Sequence, residues 1–210
     1  MPASSRSARQ EREQSIRQRI ISSALARVAD GGFAALTMLT LAEDVGIATG
    51  SLYRYVPSKG SLAAEVFALA SQREVEALKA VMGAPGSPVA RLRAGIRLFA
   101  TRAWHSRQLA FALIAEPVDA EVDQQRLRFR EAYAELFTQL LNEGAQLGVF
   151  RVQQVNLVAA CLVGAIAEAL VGPLSPPARA AREAGYPAAS LEQVSQALLS
   201  FCLRAVGAEE

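Results

Sequence analysis

The chain has one histidine, one tryptophan and two cysteines in 210 residues, and aromatic residues make up only 6% of it. The lone His105, beside the lone Trp104, belongs to no nucleophile–base–acid set at recognisable spacing and has no companions for a metal site. An enzyme is therefore disfavoured, and no metal or cofactor is expected. Cys161 and Cys202 have no CxxC spacing and lie in apolar runs, so they read as two small buried hydrophobes, not a disulfide framework. The first residues, Met1-Pro2-Ala3-Ser4-Ser5-Arg6-Ser7, lack the apolar stretch of a secretory signal. The most hydrophobic segment, Val155 to Val171, spans 17 residues, contains Asn156 and Glu168, and falls short of the roughly 20 that a membrane span needs. A cytoplasmic location without membrane contact is the expectation.

What the chain does have is 51% hydrophobic residues against 20% charged ones. Most of the apolar content is Ala, Leu and Val, which suits closely packed helices, so the expected fold class is all-α. A folded chain of this length buries roughly 70% of its unfolded surface and needs no staple. The net charge of +2 hides a gradient: residues 1–60 carry eight Lys or Arg against five acids, giving +3, and the remainder carries −1. A modestly basic head permits contact with phosphates at one end of the molecule.

Ile16, Ile20, Ala24, Leu25 and Val28 recur at helical spacing and stop at Gly31-Gly32, which defines a first helix. Thr37 is placed to cap a short second helix through Met38, Leu41, Ala42 and Val45, ended by Gly46. A third short segment runs from Thr49 to Val56 and stops at Pro57. Ser58 then caps a long fourth helix near Lys59 to Met82. Further helices are expected over Val89–Ala103, Leu109–Ala115, from an Asp119 cap to the turn at Gly148, and over about Gln153–Val171. Gly172 to Ala189, with Pro173, Pro176, Pro177, Gly185 and Pro187, reads as a long connector with one irregular turn around Ala178 to Glu183. Ser190 and Gln193 make a capping box that opens the last helix, so about nine helices are expected in all.

Two short helices joined by a tight glycine-containing turn, after one longer helix, spell a helix-turn-helix. Ala42 and Gly46 are small where two axes cross, and Ile47 and Leu52 can lock the third helix down. Thr49, Gly50, Ser51, Tyr53, Arg54 and Tyr55 are then left for an outside partner. The run Gly32-Phe33-Ala34-Ala35-Leu36-Thr37-Met38, then Leu41 through Tyr55, then Pro57-Ser58-Lys59 and Leu62, resembles the DNA-binding head of TetR-family transcriptional repressors. The resemblance covers about residues 12–67, and Leu52-Tyr53 followed by Lys59 is its most diagnostic part. The chain departs from the pattern at Leu39, where a polar contact is common, at Ala48, at Val56, and at Gly60, where an acid is usual.

Arg6, Arg9 and Arg12 precede the first helix and read as a flexible basic arm, 1–12, either reaching a DNA backbone or minor groove or serving only as a soluble tail; a helix-turn-helix domain, 13–60, and a ligand-binding and dimerisation domain, 61–207, connected by helix four over 59–82, follow. The resemblance implies a ligand-responsive repressor that binds a palindromic operator as a homodimer. Thr37, Thr49, Gly50, Ser51, Tyr53, Arg54, Tyr55 and Lys59 are the expected DNA contacts. The effector expected is a small hydrophobic or aromatic molecule, with Phe99, Trp104, Phe111, Ile114, Phe129, Tyr133, Phe137 and the isolated Glu168 as candidate contacts. The apolar eighth helix, with Ala160, Gly164 and Ala167, and the last helix, with Val194, Leu198 and Phe201, are the expected dimer interface. The rival reading is a helical small-molecule or lipid-binding protein whose head no longer binds DNA, motivated by Leu39 and Gly60.

Overall fold

The computed structural model describes residues 3–208, with side chains from residue 8 onward. All regular structure among them is helical: ten α-helices and one 3-10 turn. The helices are α1 (Ala3–Gly31), α2 (Met38–Val45), α3 (Thr49–Leu52), α4 (Lys59–Met82) and α5 (Pro88–His105). They continue as α6 (Arg107–Ile114), α7 (Ala120–Gln146), α8 (Val155–Leu174), α9 (Pro176–Glu183) and α10 (Leu191–Ala205). The 3-10 turn, Phe33–Ala35, lies between α1 and α2.

Start and stop chemistry explains most of these bounds. Thr37, Ser58, Ser87 and Ser190 each accept a backbone N–H from the first turn of the helix that follows, and the Ser190–Gln193 capping box forms in both directions. Asp119 stands at the N-cap of α7 but makes no side-chain cap bond. Gly46 ends α2 in the left-handed conformation, φ 70°, where a side chain would be strained.

Three expectations are corrected. Helix α1 begins at Ala3, so residues 3–12 are its first turns and not a flexible arm; the side chain of Arg6 lies outside the described residues. The segment after Val171 is mostly helical. α8 runs on through Pro173, and α9 places Pro176 and Pro177 in its first turn, where no intrahelical N–H is needed. The Arg179–Glu183 pair, 2.9 Å, then supports that helix one turn apart. α3 is a single helical turn; Tyr53 to Val56 follow as hydrogen-bonded turns, with Val56 N–H donating to Leu52 O at 3.0 Å.

Two hydrophobic clusters organise the chain. One joins α1–α4 around Ile20, Leu36, Leu41, Leu52 and Leu62, and it takes in Ala112, Val122 and Phe129 from beyond residue 82. The other joins α4, α5, α7, α8 and α10 around Leu92, Ile96, Leu141, Leu162 and Cys202. α7 lies along both α4 and α8. Polar ties brace α1 against its neighbours: Arg27 forks onto Asp44, Arg19 donates to Val45 O at 2.6 Å, and Arg17 pairs with Glu65 at 2.8 Å. The Arg27 fork holds the Asp44 carboxyl below its usual range.

The two cysteines part company. Cys161 is exposed, against expectation, while Cys202 is wholly buried and burial pushes its thiol up to about 11. In a Cys161→Ser background, a disulfide reagent at pH 8 is expected to leave Cys202 unmodified until denaturant unfolds the chain. Full labelling of the folded protein within minutes would contradict this packing.

Candidate DNA-reading face and ligand cavity

The helix-turn-helix is built to present α3. Leu41, Ala42, Val45 and Leu52 are buried beneath it, so the opposite side of α3 and its following turn faces out. Gly50, Tyr53, Arg54 and Lys59 are exposed, and Thr49, Ser51 and Tyr55 are half-buried. Tyr53 is 53% exposed, a strong departure for an aromatic ring and consistent with an external contact. Neither Arg54 nor Lys59 has a hydrogen bond or ion-pair partner among the described residues, whereas Arg9, Arg17, Arg19 and Arg27 are all engaged. Arg12, on α1, is also unpaired among the described residues, and Arg54 and Lys59 are the two unpaired cations beside α3. Thr37 is also exposed, but its hydroxyl is already spent on capping α2, where it accepts Thr40 N–H at 3.2 Å. Leu39, 60% exposed, extends the same surface with an apolar side chain.

Gly60 has a local reason. A side chain there would meet the Glu121 carboxyl of α7 at 3.1 Å. The acid missing from the first turn of α4 is supplied from α7, where it complements the positive end of the helix.

In the body, a cavity of about 100 Å³ lies among α4, α5, α6, α7 and α8. Its wall includes Phe99, Ile114, Phe129, Tyr133 and Phe137, with Phe99 and Tyr133 meeting edge to face at 5.8 Å. Five of the eight expected ligand contacts are therefore brought together. Three are not. Trp104 lies outside it in a separate groove, Phe111 packs against the core without reaching the cavity, and Glu168 is exposed away from it.

Apart from Tyr133, the polar part of the wall carries no signal in the sequence. Ser71 is 3% exposed yet its hydroxyl has no partner among the described residues. The Tyr133 hydroxyl likewise makes no hydrogen bond there; burial first, then the Glu74 carboxylate, raises its pKa, so it stays a neutral donor. Glu74 is held by a forked pair with Arg102, at 2.6 and 2.7 Å. Single polar residues separated by whole helices carry no spacing signal in the sequence.

Arg126 connects this wall to the head. It lines the cavity, stands over the Phe67 ring at 5.9 Å, and donates to Leu113 O at 3.1 Å and to Glu116 O at 2.8 Å. The Glu116 carboxylate then accepts the backbone N–H groups of Phe33 and Ala34, both at 2.9 Å. Gly32, φ 75°, leaves the space this needs, because a Cβ there would stand 2.4 Å from Glu116 Oε2. One residue of the α6–α7 loop thus caps the 3-10 turn of the head.

The expected dimer residues divide. On α8, Ala160 and Gly164 are exposed, in one stripe with Leu157 and Cys161. Ala167 is half-buried and lines the cavity. On α10, Phe201 is 55% exposed, but Val194 and Leu198 are buried in the chain's own core and cannot also meet a partner. α8 is 20 residues long with mean hydropathy 2.1, enough by length and composition to cross a membrane, which corrects the expectation of a shorter segment. It packs instead on α7, α6 and α10.

A helix-turn-helix with a free polar face, carried on a helical body with a mostly apolar cavity, defines a DNA-binding regulator of the ligand-gated class. Family models agree: residues 20–66 match "Bacterial regulatory proteins, tetR family", and residues 85–170 match "Tetracyclin repressor-like, C-terminal domain", together more than half of the chain. The chain belongs to the TetR family, as a transcription regulator with a DNA-binding head and a ligand-binding body. Among curated protein sequences, none matches it. Solved structures with the same fold include the fatty acid degradation regulator FadR from Bacillus halodurans, at 18% identity and TM-score 0.72, covering 92% of this chain and 97% of that one. FadR from Bacillus subtilis in complex with stearoyl-CoA is similar at 19% identity and TM-score 0.71, covering 92% and 99%. RolR in complex with resorcinol is similar at 20% identity and TM-score 0.69, covering 95% and 91%.

Proposed function

We propose that this chain is a cytoplasmic, non-enzymatic transcriptional repressor that binds a palindromic operator as a homodimer and releases it when a small effector fills the body cavity. The observation that carries this reading is the continuous polar connection from the cavity wall, through Arg126 and Glu116, to the head that presents α3. Residues 13–60 act as the DNA-binding domain and 61–207 as the ligand-binding and dimerisation domain, with α4 shared between them. Thr49, Gly50, Ser51, Arg54 and Tyr55 approach base edges, and Tyr53 and Lys59 hold phosphates. Thr37 contributes chiefly by capping α2.

Two copies meet through the exposed stripe Leu157, Ala160, Cys161 and Gly164 on α8 together with Phe201 on α10. Small residues there allow the close approach that a twofold helix pair needs. A cavity of about 100 Å³ is on the scale of those that hold a single benzene ring, roughly 150 Å³. It suits a small aromatic or short aliphatic molecule far better than an acyl chain of stearoyl length. Ser71 and Tyr133, whose side chains line the cavity, favour one hydroxyl or carbonyl on that molecule.

The experiment is a gel shift on the DNA flanking the chain's own gene, followed by a screen of single-ring phenols for release. A retarded band that competitor of unrelated sequence leaves intact, and that a phenol but not the matching toluene dissolves, is the expected result. Effector binding to the body with no DNA retention at low salt would instead favour a carrier with a silent head.

A further inference from the structure

Trp104 lies in a groove of about 280 Å³ that shares no lining residue with the effector cavity. The groove is formed where α5 turns into α6 and where α9 packs nearby, and its wall includes Trp104, His105, Arg107, Arg179 and Arg182. The Arg107 guanidinium carbon stands 4.5 Å from the centre of the Trp104 ring and that of Arg182 stands 5.7 Å from it. Two cations therefore share one aromatic group. Cation–π attraction holds each of them in place, but it does nothing to cancel the repulsion between them.

Their remaining valences are not answered among the described residues. Arg107 makes no hydrogen bond or ion pair among the described residues, and its Nε is buried without a partner. Burial and the charge of Arg182 both lower its pKa. Arg182 donates one Nη to Pro173 O at 2.8 Å, and its other Nη is buried without a partner. The one carboxylate in the groove, Glu183, is engaged by Arg179 at 2.9 Å. Arg107 is also the first residue of α6, whose N-terminal N–H groups receive no side-chain cap; because α5 ends immediately before it, at His105, the two helix ends oppose one another there and the guanidinium groups supply the positive charge. Buried or half-buried guanidinium groups are ordinarily matched by carboxylates; here neither Arg107 nor Arg182 has one among the described residues.

We propose that this groove is an oxyanion-binding site, in which Arg107 and Arg182, held on Trp104, chelate a phosphate or carboxylate group brought by a ligand outside the effector cavity. A tetrahedral phosphate or planar carboxylate offers the several acceptor atoms that two forked guanidinium groups can share. Arg179 and His105 stand at the exposed rim, where Arg179 keeps its own acid.

Because Trp104 is the chain's only tryptophan, its emission reports directly on this groove. The full-length protein is titrated at fixed ionic strength with inorganic phosphate, ADP, acetate and chloride. The expected result is a saturable change with phosphate or acetate and none with chloride. An ADP affinity above that of inorganic phosphate assigns the source to a larger organic phosphate, and acetate above phosphate assigns it to a carboxylate. Arg107→Gln and Arg182→Gln are each expected to weaken binding at least tenfold with helix content unchanged; in buffer free of phosphate and carboxylate, Arg107→Gln, which relieves a repelling charge and gives up no hydrogen bond among the described residues, is expected to keep its thermal stability, whereas Arg182→Gln also gives up the bond to Pro173 O. If one of the two fails to fold, the other still carries the comparison. A response that does not saturate, an equal response to chloride, or wild-type affinity in a folded variant would overturn the proposal.

Discussion

Replacing Glu116 by Ala is expected to loosen the head from the body by about 2–4 kcal/mol and to yield a repressor that binds its effector without releasing DNA. The carboxylate accepts two backbone N–H groups, from Phe33 and Ala34, and hydrogen bonds to a charged acceptor are worth about 1.5–3 kcal/mol each, less where solvent reaches them. Glu116→Gln keeps one acceptor oxygen and is expected to lose about half as much. Gly32→Ala attacks the same contact from the other side, because its φ of 75° is strained for any side chain and its Cβ would displace the carboxylate. Urea unfolding measures the stability change.

The functional half of the prediction follows from where Glu116 sits. Its carbonyl is held by Arg126, which lines the cavity and also holds the carbonyl of Leu113. A molecule that moves Arg126 or the end of α6 moves the cap of the head with it. The coupling is read by comparing effector affinity with and without operator DNA, which linkage requires to differ by the same factor in both directions. That factor is expected to fall toward one in Glu116→Ala while effector affinity alone stays near wild type. A variant with wild-type stability and an unchanged factor would show that the head is moved by some other route, with the α4–α7 contact the next candidate.

The head was legible in the sequence because its residues lie close together along the chain. Caps at Thr37 and Ser58, the glycine stop at Gly46 and the apolar spacing of Leu41, Val45 and Leu52 are local signals, and each did what its chemistry suggests. The body was legible only as helices. Phe99, Ile114, Phe129, Tyr133 and Phe137 line the cavity, yet Phe111 has the same character and does not, because facing a void or facing a neighbour is decided by helix rotation and not by residue type. Glu116 acquires its role from Phe33 and Ala34, 83 and 82 residues away, and Ser71 and Arg126 acquire theirs from a cavity assembled by separate helices. Glu168 stood out in an apolar run but projects outward, which the hydrophobicity of its neighbours could not reveal. Pro176 and Pro177 were misleading for a different reason: proline stops a helix from within but starts one at its first turn.

Lys59→Ala and Tyr53→Ala are expected to lower operator affinity by about 10- to 100-fold each, the equivalent of losing one charged hydrogen bond of about 1.5–3 kcal/mol. Both side chains are exposed and neither has a partner among the described residues, so thermal stability is expected to change by no more than about 0.5 kcal/mol. The salt dependence separates their roles. Lys59→Ala removes a cation and is expected to reduce the slope of log affinity against log salt by about one, while Lys59→Arg preserves it. Tyr53→Phe removes only the hydroxyl and leaves the slope as it is, since a phenol releases no counterion. Arg54→Ala differs again: if this side chain reads a base edge, affinity for the operator falls by about 1–3 kcal/mol while affinity for unrelated DNA falls much less. Equal losses on operator and unrelated DNA would make Arg54 a second phosphate contact, and specificity would then rest on Thr49, Ser51 and Tyr55 alone.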